Sequence, residues 1–169
     1  PKGIKSFVIS SGHPSSSLWE KEGLRRIKMM PEHMQEAINK ALETGEFSGE
    51  AYDEAVAEYM HRYCDYWIGD EAPECCTRPK KGGGEAYLYG WGPNEFAPTG
   101  SLKDFEYVDR LGEIKIPSLV CSGISDLCSP LIAKTIADGI PNSEWILWEN
   151  ARHTCFVDRH DDYCEVLIE

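Results

Sequence analysis

Two residues of this chain have side chains that could do chemistry together, Asp126 and His153. An ionised carboxylate accepting the Nδ1–H of an imidazole fixes the tautomer of that ring. It also stabilises the imidazolium formed when the ring takes a proton from a nucleophile. An arbitrary Asp and His would only cap a turn and occupy a loop, so the reading depends on what positions them. Asp126 follows the apolar run Ile116, Leu119, Val120, which breaks at Gly123 and has no polar face, the pattern of a parallel strand covered on both sides. Ser129 offers an N-cap and Pro130 a first helical position. Leu131, Ile132, Ile136 and Ile140 follow at helical spacing until Gly139 and Pro141 stop the helix. Trp145 to Trp148 form the next strand, and His153 lies a few residues beyond it. Both groups thus stand just past the C-terminal ends of neighbouring strands, where open α/β sheets carry their sites.

Other candidates are weaker. His160 competes for Asp126, but it falls on the exposed face of a final helix that Asp158 is placed to cap. His33 and His61 lie on helices without a second ligand at i+4, so no metal is expected. Seven cysteines, an odd number without CxxC pairs, read mostly as buried thiols of a reducing compartment, hence a cytoplasmic protein. Cys155 is nearest to His153 in sequence, yet no strand–turn–helix elbow surrounds any cysteine. Ser10 and Ser11 end the first strand without a Gly two residues before them. No Gly-x-Ser-x-Gly occurs anywhere in the chain, so the nucleophile is missing from it. The triple glycine Gly82 to Gly84 follows Lys80 and Lys81 rather than preceding a GK[ST] pair, which reads as a loop and not a phosphate cradle.

The positioning elements are few. Three strands are expected, Ile4–Ser10, Ile116–Ser122 and Glu144–Glu149, with an edge left unpaired and an apolar face uncovered. Between the first two lies a helical block: Leu18 to Met29, Pro31 to Gly45, and Gly49 to Cys64. In the last, Tyr52, Ala55, Val56, Tyr59, Met60 and Tyr63 make an apolar stripe suited to packing. Asp65 to Gly92 reads as irregular, and Lys103 to Leu111 as a short helix returning to the sheet. A net charge of −12 argues against nucleic acid and would favour cationic ligands. No apolar run approaches the roughly 20 residues that span a bilayer. The start, PKGIKSF, has neither an initiator Met nor a signal pattern, as expected of a processed or truncated chain.

The segments GISDLCSP, IPNSEW and ENARHTCFVDRHDDY resemble the C-terminal region of α/β-hydrolases of the proline iminopeptidase family, whose triad runs Ser, Asp, His in chain order. Trp91 to Val120, with WGPNEF and GSLKDF, looks like the segment by which that family leaves its helical cap and re-enters the sheet. Lys5 to Glu22 looks like the strand after the nucleophile's helix and the entry to the cap. The resemblance implies the C-terminal part of an α/β-hydrolase sheet with an inserted helical cap. Its core would be 1–13 and 114–169 and its cap 14–113. Asp126 and His153 would be the catalytic pair, with the serine supplied by an N-terminal half in the same gene or a separate chain. Glu95 of WGPNEF matches the cap glutamate that binds a substrate's free α-amino group. Flanked by Pro93 and Phe96, it is also expected to be partly desolvated. Where such members often carry a second acid after the catalytic Asp, this chain has Leu127. The implied reaction is release of N-terminal residues, proline preferred, from peptides or amides, with no cofactor. A non-catalytic interaction module, or an esterase or amidase of the same fold, are the alternatives.

Overall fold

The structure, a computed structural model, describes residues 3–64, 73–79 and 82–168. In chain order its elements are β1 (Phe7–Ser10), α1 (Ser16–Ile27), α2 (Glu32–Thr44), α3 (Glu50–Tyr63), α4 (Glu74–Thr77), α5 (Gly84–Gly90), a 3-10 helix (Val108–Glu113), β2 (Ser118–Gly123), α6 (Pro130–Gly139), β3 (Ser143–Trp148), α7 (Cys155–Asp158) and α8 (His160–Ile168). They fall into two compact units, residues 1–15, 63–66 and 106–169 in one, and 16–62 and 67–105 in the other. No helix among the described residues is long and apolar enough to cross a membrane.

The first unit is built on a parallel sheet in the order β1-β2-β3, with Val120 between Ile9 and Trp145. Alternate residues of β2 enter different cores. Val120 joins Leu111, Ala133, Ile136 and Ile140. Cys121 joins Trp148, Ala151 and Cys155, against which Tyr163 and Val166 pack. That double burial is why the run from Ile116 has no polar face. The outer strands carry the uncovered apolar positions expected: Val8 is 49% exposed and Leu147 38%. Each lies at an edge of the sheet, with a neighbouring strand on one side only.

Two expectations need correction. The return to the sheet is not an α-helix over Lys103 to Leu111 but the 3-10 helix at Val108–Glu113. It seats Leu111 so close to Gly139 that a Cβ there would lie 2.7 Å from the Leu111 Cβ. Asp158, the last residue of α7, accepts the Arg152 N–H at 2.7 Å on its carboxylate and so ties down the loop bearing His153. Of the seven free cysteines, Cys121, Cys128 and Cys155 are buried, whereas Cys75 is exposed.

The second unit is helical. Ile27, Ile38, Ala41, Ala55 and Tyr59 are among its buried positions, so the stripe on α3 packs as its spacing predicts. α2 ends at Gly45 in the left-handed conformation, φ 76°, whose N–H returns to the Ala41 carbonyl. Trp19 stacks edge-on against Trp91 at 5.2 Å, and Tyr59 against Phe96 at 5.0 Å. Where an irregular stretch is expected from Asp65 to Gly92, the described part contains the short helices α4 and α5. Residues 65–72 and Lys80-Lys81 lie outside the described residues.

Candidate active site

The turn after β2 and the loop after β3 are drawn together by backbone. Ile124 N–H donates to the Trp148 carbonyl at 3.0 Å and Ser125 N–H to the Ala151 carbonyl at 3.1 Å. Gly123 makes this possible, since a Cβ there would stand 2.2 Å from the Ala151 carbonyl oxygen. Asp126 is thereby delivered to His153, whose N–H is held by the Tyr63 carbonyl at 3.1 Å. Downstream, Ser129 caps α6 by accepting from the Ile132 N–H, with Pro130 in the first turn.

His153 Nδ1 lies 2.9 Å from Asp126 Oδ1. The carboxylate is fully buried, while the imidazole side chain is 33% exposed. Oδ1 also accepts the Cys128 N–H at 2.8 Å, and Oδ2 accepts the Ser11 hydroxyl at 2.6 Å. With donors on both oxygens Asp126 acts as an acceptor, which places the imidazole proton on Nδ1 and leaves Nε2 as the basic nitrogen. The arrangement can hold a ring in one tautomer and stabilise its protonated form.

The competing residues separate. His160 sits between α7 and its own helix, with Nδ1 3.3 Å from the Phe156 carbonyl and Nε2 3.8 Å from Cys164 Sγ. Cys155 is buried beside the Ser10 and Ser11 hydroxyls, at 3.7 and 3.9 Å, and burial pushes its thiol pKa up. A neutral thiol is a poor nucleophile. Asp126, Cys128 and His153 bring a carboxylate, a thiol and an imidazole within 4.8 Å of one another, a donor set with metal-binding types. These groups are already committed to each other and to Ser11, the Cys128 thiol donating to the Ser11 carbonyl at 2.9 Å.

Glu95 belongs to the helical unit and is half-buried. Its Oε1 accepts the Tyr87 hydroxyl at 2.5 Å, and its backbone carbonyl accepts the Trp19 indole N–H at 2.7 Å. Burial, and then the Glu95 carboxylate, raise the pKa of Tyr87, so the phenol stays a donor. Leu127, beside the buried Asp126, is itself buried.

Sequence reasoning missed Ser11 and Cys128. From sequence Ser11 reads only as a serine without a nucleophile elbow, whereas its hydroxyl meets the carboxylate rather than the imidazole. No local pattern could reveal a partner 115 residues away.

No family model matches the chain. It is 52% identical to the proline iminopeptidase of Clostridium botulinum over 99% of its own length and 57% of that protein's. Among solved structures, VinJ superposes with a TM-score of 0.85 at 24% identity, covering 99% of this chain and 57% of VinJ. The proline iminopeptidase of Mycobacterium smegmatis gives 0.82 at 23%, covering 99% and 56%. These likenesses show the α/β-hydrolase fold. Along its whole length the chain is therefore similar to curated proline iminopeptidases and has the α/β-hydrolase fold, and it spans somewhat more than half the length of the relatives it matches.

Proposed function

We propose that Asp126 is the orienting carboxylate and His153 the general base of a serine hydrolase that releases N-terminal residues, proline preferred, from peptides or amides. The observation that carries this reading is the 2.9 Å contact between His153 Nδ1 and a fully buried carboxylate at the ends of β2 and β3. His153 takes the nucleophile's proton on Nε2 and later returns it to the leaving amine, while Asp126 holds the tautomer. The serine comes from residues beyond these 169, consistent with the 57% coverage of the relatives and the lack of a Gly-x-Ser-x-Gly. Those residues are also the proposed partner of the sheet, covering apolar positions such as Val8 and Leu147. In this reading 1–13 with 114–169 is the hydrolase core and 14–113 its cap. Glu95 pairs with the substrate's ammonium, and the Tyr87 hydroxyl orients it. Leu127 leaves Glu95 as the carboxylate this reading relies on. The seven free thiols support a reducing, cytoplasmic setting.

The test combines a serine-directed fluorophosphonate label on native protein with prolyl amide substrates, free or blocked at nitrogen. Labelling and hydrolysis of the free substrate alone are expected. Asp126→Asn should lower kcat by about 10⁴, the effect of losing the correct tautomer in a serine triad. Glu95→Gln should raise KM for free-amino substrates and narrow discrimination against blocked ones. Equal turnover of blocked and free substrates would remove the aminopeptidase assignment. Native material that consists only of a monomeric 19.0 kDa species, with no further piece and no label, would instead be a binding module.

A further inference from the structure

Ser11, which follows β1 directly, has a backbone φ of 50°, in the left-handed region that residues with a side chain seldom adopt. It is held there from both sides. Its N–H donates to the Cys121 carbonyl at 2.9 Å, and its own carbonyl accepts the Cys128 thiol at 2.9 Å. In this conformation the Oγ stands 2.6 Å from Asp126 Oδ2 and 2.9 Å from the His153 carbonyl. A hydroxyl has one proton, and the nearer, charged acceptor takes the larger share of it. Ser11 therefore contacts both members of the pair from a third segment of chain.

We propose that Ser11 is a positioning residue, whose hydroxyl holds the Asp126 carboxylate in the orientation that accepts the His153 Nδ1–H. The proposal rests on the reading of Asp126 and His153 as the reacting pair. Oδ1 serves Cys128 and His153 together, so a partial rotation of the carboxylate would disturb both contacts at once. The Ser11 donor on Oδ2 opposes that rotation. Removing it also takes a hydrogen bond from a fully buried carboxylate, which is costly.

The test reads the ring itself and needs no turnover. In the whole chain labelled with ¹⁵N-histidine, the neutral His153 ring is expected as the Nδ1–H tautomer with a low-field Nδ1–H signal. Ser11→Gly tolerates the left-handed backbone but lacks the hydroxyl. It should lose that signal and shift the ring toward the Nε2–H tautomer while keeping a native amide spectrum. Ser11→Ala should do the same, and Ser11→Thr, which keeps a hydroxyl, should retain the signal at a lower melting temperature. An unmoved tautomer in folded Ser11→Gly and Ser11→Ala would overturn the proposal. So would loss of the signal in folded Ser11→Thr, or failure of both Gly and Ala variants to fold, since the hydroxyl would then serve the fold and not the ring. Asp126→Asn separates this from the parent reading. If it moves the tautomer and the Ser11 variants do not, only the role of Ser11 fails. If it too leaves the ring unchanged, the pair fails.

Discussion

A buried polar side chain is tolerated only with partners, and those partners decide what it can do. Asp126 has donors on both oxygens, which makes it an acceptor for an imidazole. His13, in the loop after β1, is half-buried, and there burial outweighs its partners. Burial lowers its pKa from 6.5, outweighing the raising effects of the Ser15 carbonyl and the Glu106 charge. The folded state thus binds fewer protons than the unfolded chain between the lowered value and 6.5. Stability there rises with pH; it is fully present above 6.5 and declines as pH falls through the window below it. Melting temperatures of the wild type and His13→Asn at neutral pH and at roughly pH 5.5, below the ordinary histidine range, should show a smaller acid loss in the variant. An equal loss in both would remove His13 as the source.

At the scale of elements, the candidate site exists because β2 ends in a residue without a side chain. Gly123 lets the turn carrying Asp126 approach the Ala151 backbone that leads to His153. In Gly123→Ala the new methyl would meet backbone, not the tip of a flexible side chain, so the two connections must part. Overpacking of this kind costs about 1–3 kcal/mol, and with backbone on both sides the upper part of that range is expected. Urea unfolding would measure it. The variant should also weaken the His153 Nδ1–H signal, because the displacement falls between the two partners. A fully stable variant with an unchanged signal would contradict this account of the turn.

For the whole molecule, the thiols report on burial. Cys121 lies in the sheet core, where burial first and then neighbouring Cys155 push its pKa up to about 12. Cys155 is shifted upward as well, mainly by burial. Thiolates at these positions are scarce near neutral pH, and access is closed. Brief treatment of native protein with iodoacetamide should modify exposed Cys75 first, leaving Cys121, Cys128 and Cys155 unmodified until denaturant is added. Peptide mass spectrometry resolves the order. Early modification of Cys155 would mean that the loop bearing His153 opens readily. The edge positions Val8 and Leu147 remain accessible at the same scale, in a chain that spans 57% of a relative's length.

Much was legible from local order. The apolar run to Gly123, the Ser129–Pro130 helix start and the strand at Trp145 predict three elements in sequence, and the likeness of GISDLCSP and ENARHTCFV to one family points to the same two residues. Those signals are readable because strand burial, helix caps and breakers act between near neighbours. Tertiary structure alone decided that Leu111 enters on a 3-10 turn and that Ser11 joins the carboxylate. Each depends on contacts between segments far apart in the chain, which parallel strand order brings together and which leave no periodic trace in the residues themselves.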